Sequence, residues 1–177
     1  MTASALPLPD DHERRAADDH HASLRLWLRM LTCTLMIERT VRARLRERFA
    51  ISLPRFDLMA QLERAPDGLT MGELSRRLMV TGGNVTGLTR ELVEEGLVRR
   101  SVAADDRRSF SVRLTAKGKR VFDAMAVEHE RWIVDTMAGV PAADRARLYA
   151  LLGTLKLSLR TQASEADAAT PATGRRR

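Results

Sequence analysis

Apolar residues return at helical spacing along residues 22–49. Leu24, Trp27, Leu28, Leu31, Leu35, Val41 and Leu45 form the stripe, and this period predicts one long helix. Such a helix is unusual in a small domain, so it is expected to leave its own domain and pack against something else. A second helix is predicted near 54–64, with Pro54 in its first turn and Phe56, Met59 and Leu62 inward. Ala65-Pro66-Asp67-Gly68 ends it. The third opens on Thr70-Met71-Gly72-Glu73. That is capping-box spacing: the Thr70 hydroxyl accepts from the Glu73 amide while the Glu73 carboxylate reaches back. Leu74 and Leu78 then face inward. Thr81 is placed to cap a fourth helix over 81–95, and Gly96 suits the left-handed position that ends it. Two short alternating strands are predicted at 97–101 and 109–114. Thr115 caps a fifth helix running to about residue 138. Gly139 and Pro141 separate it from a last helix striped by Leu148, Leu151, Leu152, Leu155 and Leu159. The ends of the chain show no period and are expected to be mobile.

The fourth helix carries the most unusual surface. On a helical wheel Val85, Leu88 and Leu92 share one side, while Gly83, Gly87, Arg90 and Glu94 lie opposite and Thr86 flanks them. A helical glycine costs about 1 kcal/mol relative to alanine, and Gly82, Gly83 and Gly87 fall within six residues. Close approach to phosphates or base edges is one reason for such a sequence, since a helix N-terminus favours anions. Arg90 can then reach a guanine or a phosphate, and Asn84 or Thr86 a base edge or a phosphate. A loosely packed surface helix is the competing reading. The hairpin that follows favours the first. Its tip holds Asp105, Asp106, Arg107 and Arg108. Arginine at such a tip can enter a narrow minor groove, and the aspartates can fix the loop by pairing with arginine. Arg99, Arg100, Arg113, Lys117, Lys119 and Arg120 flank the tip, and Arg76 and Arg77 precede the fourth helix. A groove-entering helix beside a basic hairpin is the layout of a winged helix-turn-helix that grips double-stranded DNA.

Charge and composition agree with that layout. The 177-residue chain has a net charge of +7, which suits a polyanionic partner. Residues 70–120 hold 11 Lys and Arg against 6 Asp and Glu, so the excess lies in the DNA-facing segment itself. Aromatic residues are only 4% of the chain, so the core must be built from Leu, Val, Met and Ala, which suits helices. A single cysteine, Cys33, excludes an intrachain disulfide framework and fits a reducing cytoplasm. No apolar run approaches membrane-spanning length. Pro7, Pro9, Asp10 and Asp11 do not form the basic and apolar regions of a signal peptide.

The runs LVEEGLVRRS and ADDRRSFSVRLTAKG resemble the MarR family of bacterial transcription regulators. Asp106-Arg107-Arg108, Val112-Arg113-Leu114-Thr115 and Gly118 match the family's wing signature, and the resemblance covers about residues 22–163. It implies a mainly α fold with a small β-hairpin wing, a winged helix-turn-helix with a helical dimerisation region. It also implies an obligate homodimer joined by the first, fifth and sixth helices, a pseudo-palindromic operator, and release from DNA when a small effector binds between the two regions. The expected organisation is an N-terminal arm over 1–21, a dimerisation region over 22–50 and 116–163, a DNA-binding domain over 51–115 and a tail over 164–177. The stretch VTGGNVTGL further resembles members that control catabolism of aromatic acids, some of which answer to the coenzyme A thioester. The expected DNA contacts are Asn84, Thr86, Gly87, Arg90, Arg107, Arg108, Arg76 and Arg77. An effector pocket lined by Trp27, Met30 and Met59 is expected to hold an aromatic ring. Arg39, Arg42 and Arg46 belong to a cluster, with Arg44 and Arg48, that reads either as an anion site for a thioester's phosphates or as a solvated helix face.

Other residues raise rival functions. Cys33 shares a helix face with Met30 and Ile37, which predicts a buried inert thiol, with redox sensing as the alternative. His12, His20, His21, Asp18 and Asp19 lack the fixed spacing of a metal site. No nucleophile elbow, phosphate loop or dinucleotide fingerprint is present, so no enzyme activity and no cofactor are expected. A non-specific architectural DNA-binding protein is the remaining rival.

Overall fold

The computed structural model describes residues 21–102 and 110–169. Along them run α1 (Ala22–Phe49), α2 (Leu53–Glu63), β1 (Leu69–Thr70), α3 (Met71–Leu78), α4 (Gly82–Glu94), β2 (Val98–Val102), β3 (Phe110–Leu114), α5 (Ala116–Met137) and α6 (Ala142–Ala169). The fold is mainly helical with one three-stranded antiparallel sheet, in the order β1-β3-β2. The chain divides into two compact units, one ending at Trp132 and the other beginning at Ile133.

In the first unit, α2, α3 and α4 pack together and against the sheet. Leu58, Met59, Leu62, Leu74, Val85, Leu92, Val98 and Val112 are fully buried there. From α1 only Val41 and Leu45 are buried, and from α5 Gly118, Phe122, Met125 and Trp132. Each fully buried Leu or Met contributes about 1.5–3 kcal/mol, so these helix faces account for the stability of the unit. Phe49 and Trp132 approach at 6.3 Å, and Arg44 lies over the Trp132 ring.

Local chemistry sets the element ends. The capping box at α3 forms: the Glu73 amide donates to the Thr70 hydroxyl oxygen at 3.3 Å, and the Thr70 amide donates to the Glu73 carboxylate at 2.8 Å. Thr81 sits at the N-cap of α4, but its side chain makes no capping hydrogen bond, contrary to expectation. Gly96 follows α4 at φ +69°, the left-handed conformation in which a side chain would be strained. Thr115 caps α5 by accepting from the Gly118 amide at 2.9 Å. Its amide and hydroxyl also donate to Leu97 and Gly96 carbonyls, at 3.0 and 2.8 Å. Gly118 is packed so closely that a Cβ there would fall 1.8 Å from the Leu97 carbonyl oxygen.

Three expectations about this chain need correction. β1 was not foreseen: its two residues pair Leu69 with Val112 and Thr70 with Ser111, a distant partnership that two residues cannot announce. Helix α6 continues to Ala169, into the segment read as tail. Gln162, Ala163, Glu165, Ala166 and Ala168 are strong helix formers, and Pro171 marks a natural stop. Cys33 is exposed rather than buried, because Leu24, Trp27, Leu31 and Leu35 of the same half of α1 are also left uncovered. His12, His20, Asp18 and Asp19 lie outside the described residues, among which no His, Cys, Asp and Glu group could hold a metal ion. No helix among them is long and apolar enough to cross a membrane.

Candidate nucleic-acid interface

Helix α4 is held by its inner face and ends, which frees its outer face. Val85, Thr89 and Leu92 point into the core and are fully buried, while Leu88 is only half-buried. Thr89 was not foreseen, because a threonine on an apolar face reads as polar. Its hydroxyl meets the Met71 sulfur at 3.8 Å, which makes the burial tolerable. The far end of α4 is fastened to α2 and α5. Arg55 pairs with Glu95 and lies 3.9 Å from Glu91, and the Lys117 ammonium donates to the Glu95 carbonyl at 2.8 Å.

The outer face begins at the turn from α3. Met79 occupies a left-handed conformation at φ +54°, and its side chain is 93% exposed. Gly82, Gly83, Asn84, Thr86 and Arg90 follow, all exposed, and Gly87 is half-buried. A Cβ added at Gly82, Gly83 or Gly87 would meet nothing within 4 Å. The glycines therefore serve no packing need inside the protomer, and the face they leave is open to close approach from outside. Thr86 donates its hydroxyl to the Gly82 carbonyl at 2.9 Å, so in this rotamer its oxygen is left as an acceptor. The Arg90 guanidinium lies 3.9 Å from the Glu94 carboxylate, and both side chains are about 70% exposed. An exposed pair of that kind is worth little, and Arg90 is free to leave it for a phosphate or a base.

The surrounding cations divide into two groups. Arg76, Arg77, Arg99, Arg100 and Arg120 are exposed. Lys119 is engaged, 3.1 Å from Glu63 and 2.6 Å from Asp123. Hydrogen bonds from Asp123 and Glu63 stabilise its charged form and raise its pKa. Arg113 is half-buried with Nε unpartnered among the described residues, so it is a poor phosphate ligand. Asp105, Asp106, Arg107 and Arg108, at the tip between β2 and β3, lie outside the described residues.

The residues expected to bind effector are not brought together. Met59 is fully buried in the core, Trp27 is 53% exposed, and Met30 is half-buried. Trp27 and Arg46 stand on the same straight helix nineteen residues apart, roughly 28 Å at 1.5 Å per residue. No small ligand spans that. Arg42 faces Glu38 at 3.6 Å and Arg48 pairs with Glu128, while Arg39 and Arg46 are exposed. The cavity that does form lies elsewhere. It has a volume of about 440 Å³ and opens between α2, α3 and α5. Sequence spacing could not reveal it, because its walls come from three separate helices.

Comparison with known proteins agrees with this geometry. Residues 51–109 match the MarR family. A solved MarR family transcriptional regulator from Silicibacter pomeroyi is 34% identical, with a TM-score of 0.69 over 81% of this chain and 99% of that one. The transcriptional activatory protein BadR of Rhodopseudomonas palustris is 30% identical over 122 residues, 64% of this chain and 69% of BadR. The HTH-type transcriptional regulator YdgJ of Bacillus subtilis is 28% identical over 106 residues, and the match spans 60% of this chain and 64% of YdgJ's length. These are DNA-binding regulators and not enzymes. The open face of α4, the winged sheet and the likeness to a solved regulator along nearly its whole length place this chain in the MarR family of transcriptional regulators.

Proposed function

We propose that the protein acts as a homodimeric, ligand-responsive repressor of a pseudo-palindromic operator. The observation that carries the DNA-binding part is the outer face of α4, whose glycines open onto empty space beside exposed Asn84, Thr86 and Arg90. In this reading residues 51–115 bind DNA, with α4 in the major groove. Arg107 and Arg108 enter the adjacent minor groove, and Arg76 and Arg77 bind phosphate. Residues 22–50 and 116–163 join the two copies. Leu24, Trp27, Leu31 and Leu35 on α1, and Leu148, Leu151, Leu152, Leu155 and Leu159 on α6, are exposed in the single chain. Apolar surface of that extent supports an interface.

The effector in this reading is an aromatic acid or its coenzyme A thioester. It releases the operator because it binds better to the DNA-incompetent state. Activation is the second reading, supported by the 30% identity to BadR, a transcriptional activatory protein. The test is a salt titration of binding to the chain's own promoter fragment and to random DNA, with light scattering on the free protein. The proposal expects a dimer at micromolar concentration and a promoter preference that persists across the salt range. Equal affinity for both DNAs would make this an architectural protein instead. Transcription from the promoter with and without protein separates repression from activation.

A further inference from the structure

The cavity between α2, α3 and α5 has a polarity that specifies its occupant. One wall is aromatic. Phe56 and Phe122, both buried, stack with ring centroids 5.6 Å apart, and the His129 ring lies 5.0 Å from Phe56. Along the α2 edge, Asp57 and Arg64 both line the space. Seven residues separate them, so their backbones stand roughly 10 Å apart along the helix axis. Helix α5 runs alongside in the opposite sense: its Lys119 reaches Glu63 at 3.1 Å, while His129 sits on Phe56 beside Asp57. The cavity therefore has a basic end at Arg64 and an end with Asp57 and His129. Arg77 enters from the last turn of α3. Neither Arg64 nor Arg77 has an ion-pair partner among the described residues, whereas Arg42, Arg48 and Arg55 each do.

We propose that this cavity binds a free aromatic carboxylate bearing a hydroxyl on the ring opposite its carboxyl group. The carboxylate lies on Arg64 and Arg77, the ring against Phe56 and Phe122, and the hydroxyl donates to Asp57. This rests on the ligand-responsive reading above and specifies its effector. Guanidinium groups hold a carboxylate by charge-assisted hydrogen bonds, and the stacked phenylalanines offer a flat apolar surface to a ring. Burial lowers the pKa of His129, so its imidazole is neutral near pH 7 and adds no competing charge at the far end. About 440 Å³ lies at the small end of ligand pockets, roughly 300–1,000 Å³. It encloses one substituted ring and leaves no room for the nucleotide and long arm of coenzyme A. Arg77 supplies the regulatory link. It stands two residues before the Met79 turn that leads into α4, so a carboxylate that draws it into the cavity withdraws it from DNA phosphate.

Calorimetric titration of the full-length protein tests this, with 4-hydroxybenzoate as the probe and benzoate, 4-hydroxybenzamide and 4-hydroxybenzoyl coenzyme A as comparisons. One 4-hydroxybenzoate should bind per chain, more tightly than all three comparisons. Arg64→Gln and Arg77→Gln should each weaken it about tenfold and narrow its advantage over the amide. Asp57→Asn should abolish its advantage over benzoate while leaving benzoate affinity in place. Arg64 is exposed, and its variant serves if another fails to fold. No binding, equal affinity for benzoate, tighter binding of the thioester, or indifference to Arg64→Gln would each overturn the assignment. Operator affinity without ligand is measured in parallel. Its retention confines such a failure to the cavity, and its loss would instead refute the DNA-binding reading.

Discussion

Helices α4 and α6 both leave a long face uncovered, and they do so with opposite chemistry. The α4 face is glycine, asparagine, threonine and arginine around a buried Val85, Thr89 and Leu92. Along α6, Leu148, Tyr149, Leu151, Leu152, Leu155, Leu157 and Leu159 are all exposed. Water stabilises the first surface, and only a groove rich in phosphate and polar base edges repays its desolvation. The second is unfavourable in water at about 25 cal/mol for each Å² of apolar area, and only another apolar surface relieves that. Each face thus names the class of its own partner, and substitutions can exchange one loss for the other.

The largest effect is expected on α6. Changing Leu152 and Leu155 together to Glu should convert a dimer to monomers by light scattering. It should also remove operator binding, because two half-sites then have to be held separately. A double variant that stayed dimeric would end the reading of α6 as an interface. Next comes Gly87→Glu. Space is open at that position, so fold and dimer should survive, while a carboxylate pushed toward phosphate should abolish operator binding in an anisotropy titration. Normal affinity would show that another element reads the groove. Smaller losses are expected from Arg90→Ala and Arg108→Ala, about 1–3 kcal/mol of binding each. Arg90→Ala should also relax base preference at one position per half-site. Arg108→Ala should leave the melting temperature almost unchanged.

The smallest effect separates fold from both partners. Thr70→Ala removes the hydroxyl of the capping box and should cost about 1 kcal/mol of stability, with dimerisation and intrinsic operator preference retained. This loss should depend on pH. Hydrogen bonds from the Thr70 amide and hydroxyl hold the Glu73 carboxyl below its ordinary pKa. A depressed folded-state pKa stabilises above the unfolded value and is lost as pH falls through the folded one. Wild type and variant should therefore converge in urea midpoint as the solution is acidified through the carboxylate range.

What the sequence disclosed depended on how local each signal was. The α1 stripe, the Thr70 and Glu73 box and the Gly96 stop are short-range patterns, and the structure reproduces them at those residues. Cys33 was misjudged because an apolar helix face says that burial is needed, not that the same chain supplies it. Thr81 occupies a cap position without the cap bond, since residue type fixes capacity and the rotamer decides its use. β1 and the cavity were illegible because both exist only once distant segments meet: Leu69 with Val112, and Phe56 with Phe122 and His129. The expected effector residues failed for a related reason. Shared chemistry along α1 was read as shared location, and a straight helix keeps its ends apart.

The joint at Gly118 has a mechanical consequence. With the Leu97 carbonyl where a Cβ would stand, and Thr115 bonded to Gly96 and Leu97, this end of α5 has no play against the wing sheet. It is a weld rather than a hinge. His129 lies eleven residues further along the same rod, roughly 16 Å from the weld. A sideways push near His129 therefore acts through a lever arm, and it reaches the wing as a tilt of sheet and helix together instead of being absorbed by bending between them. Alanine at 118 would force the weld apart, and the lever would lose its fixed end.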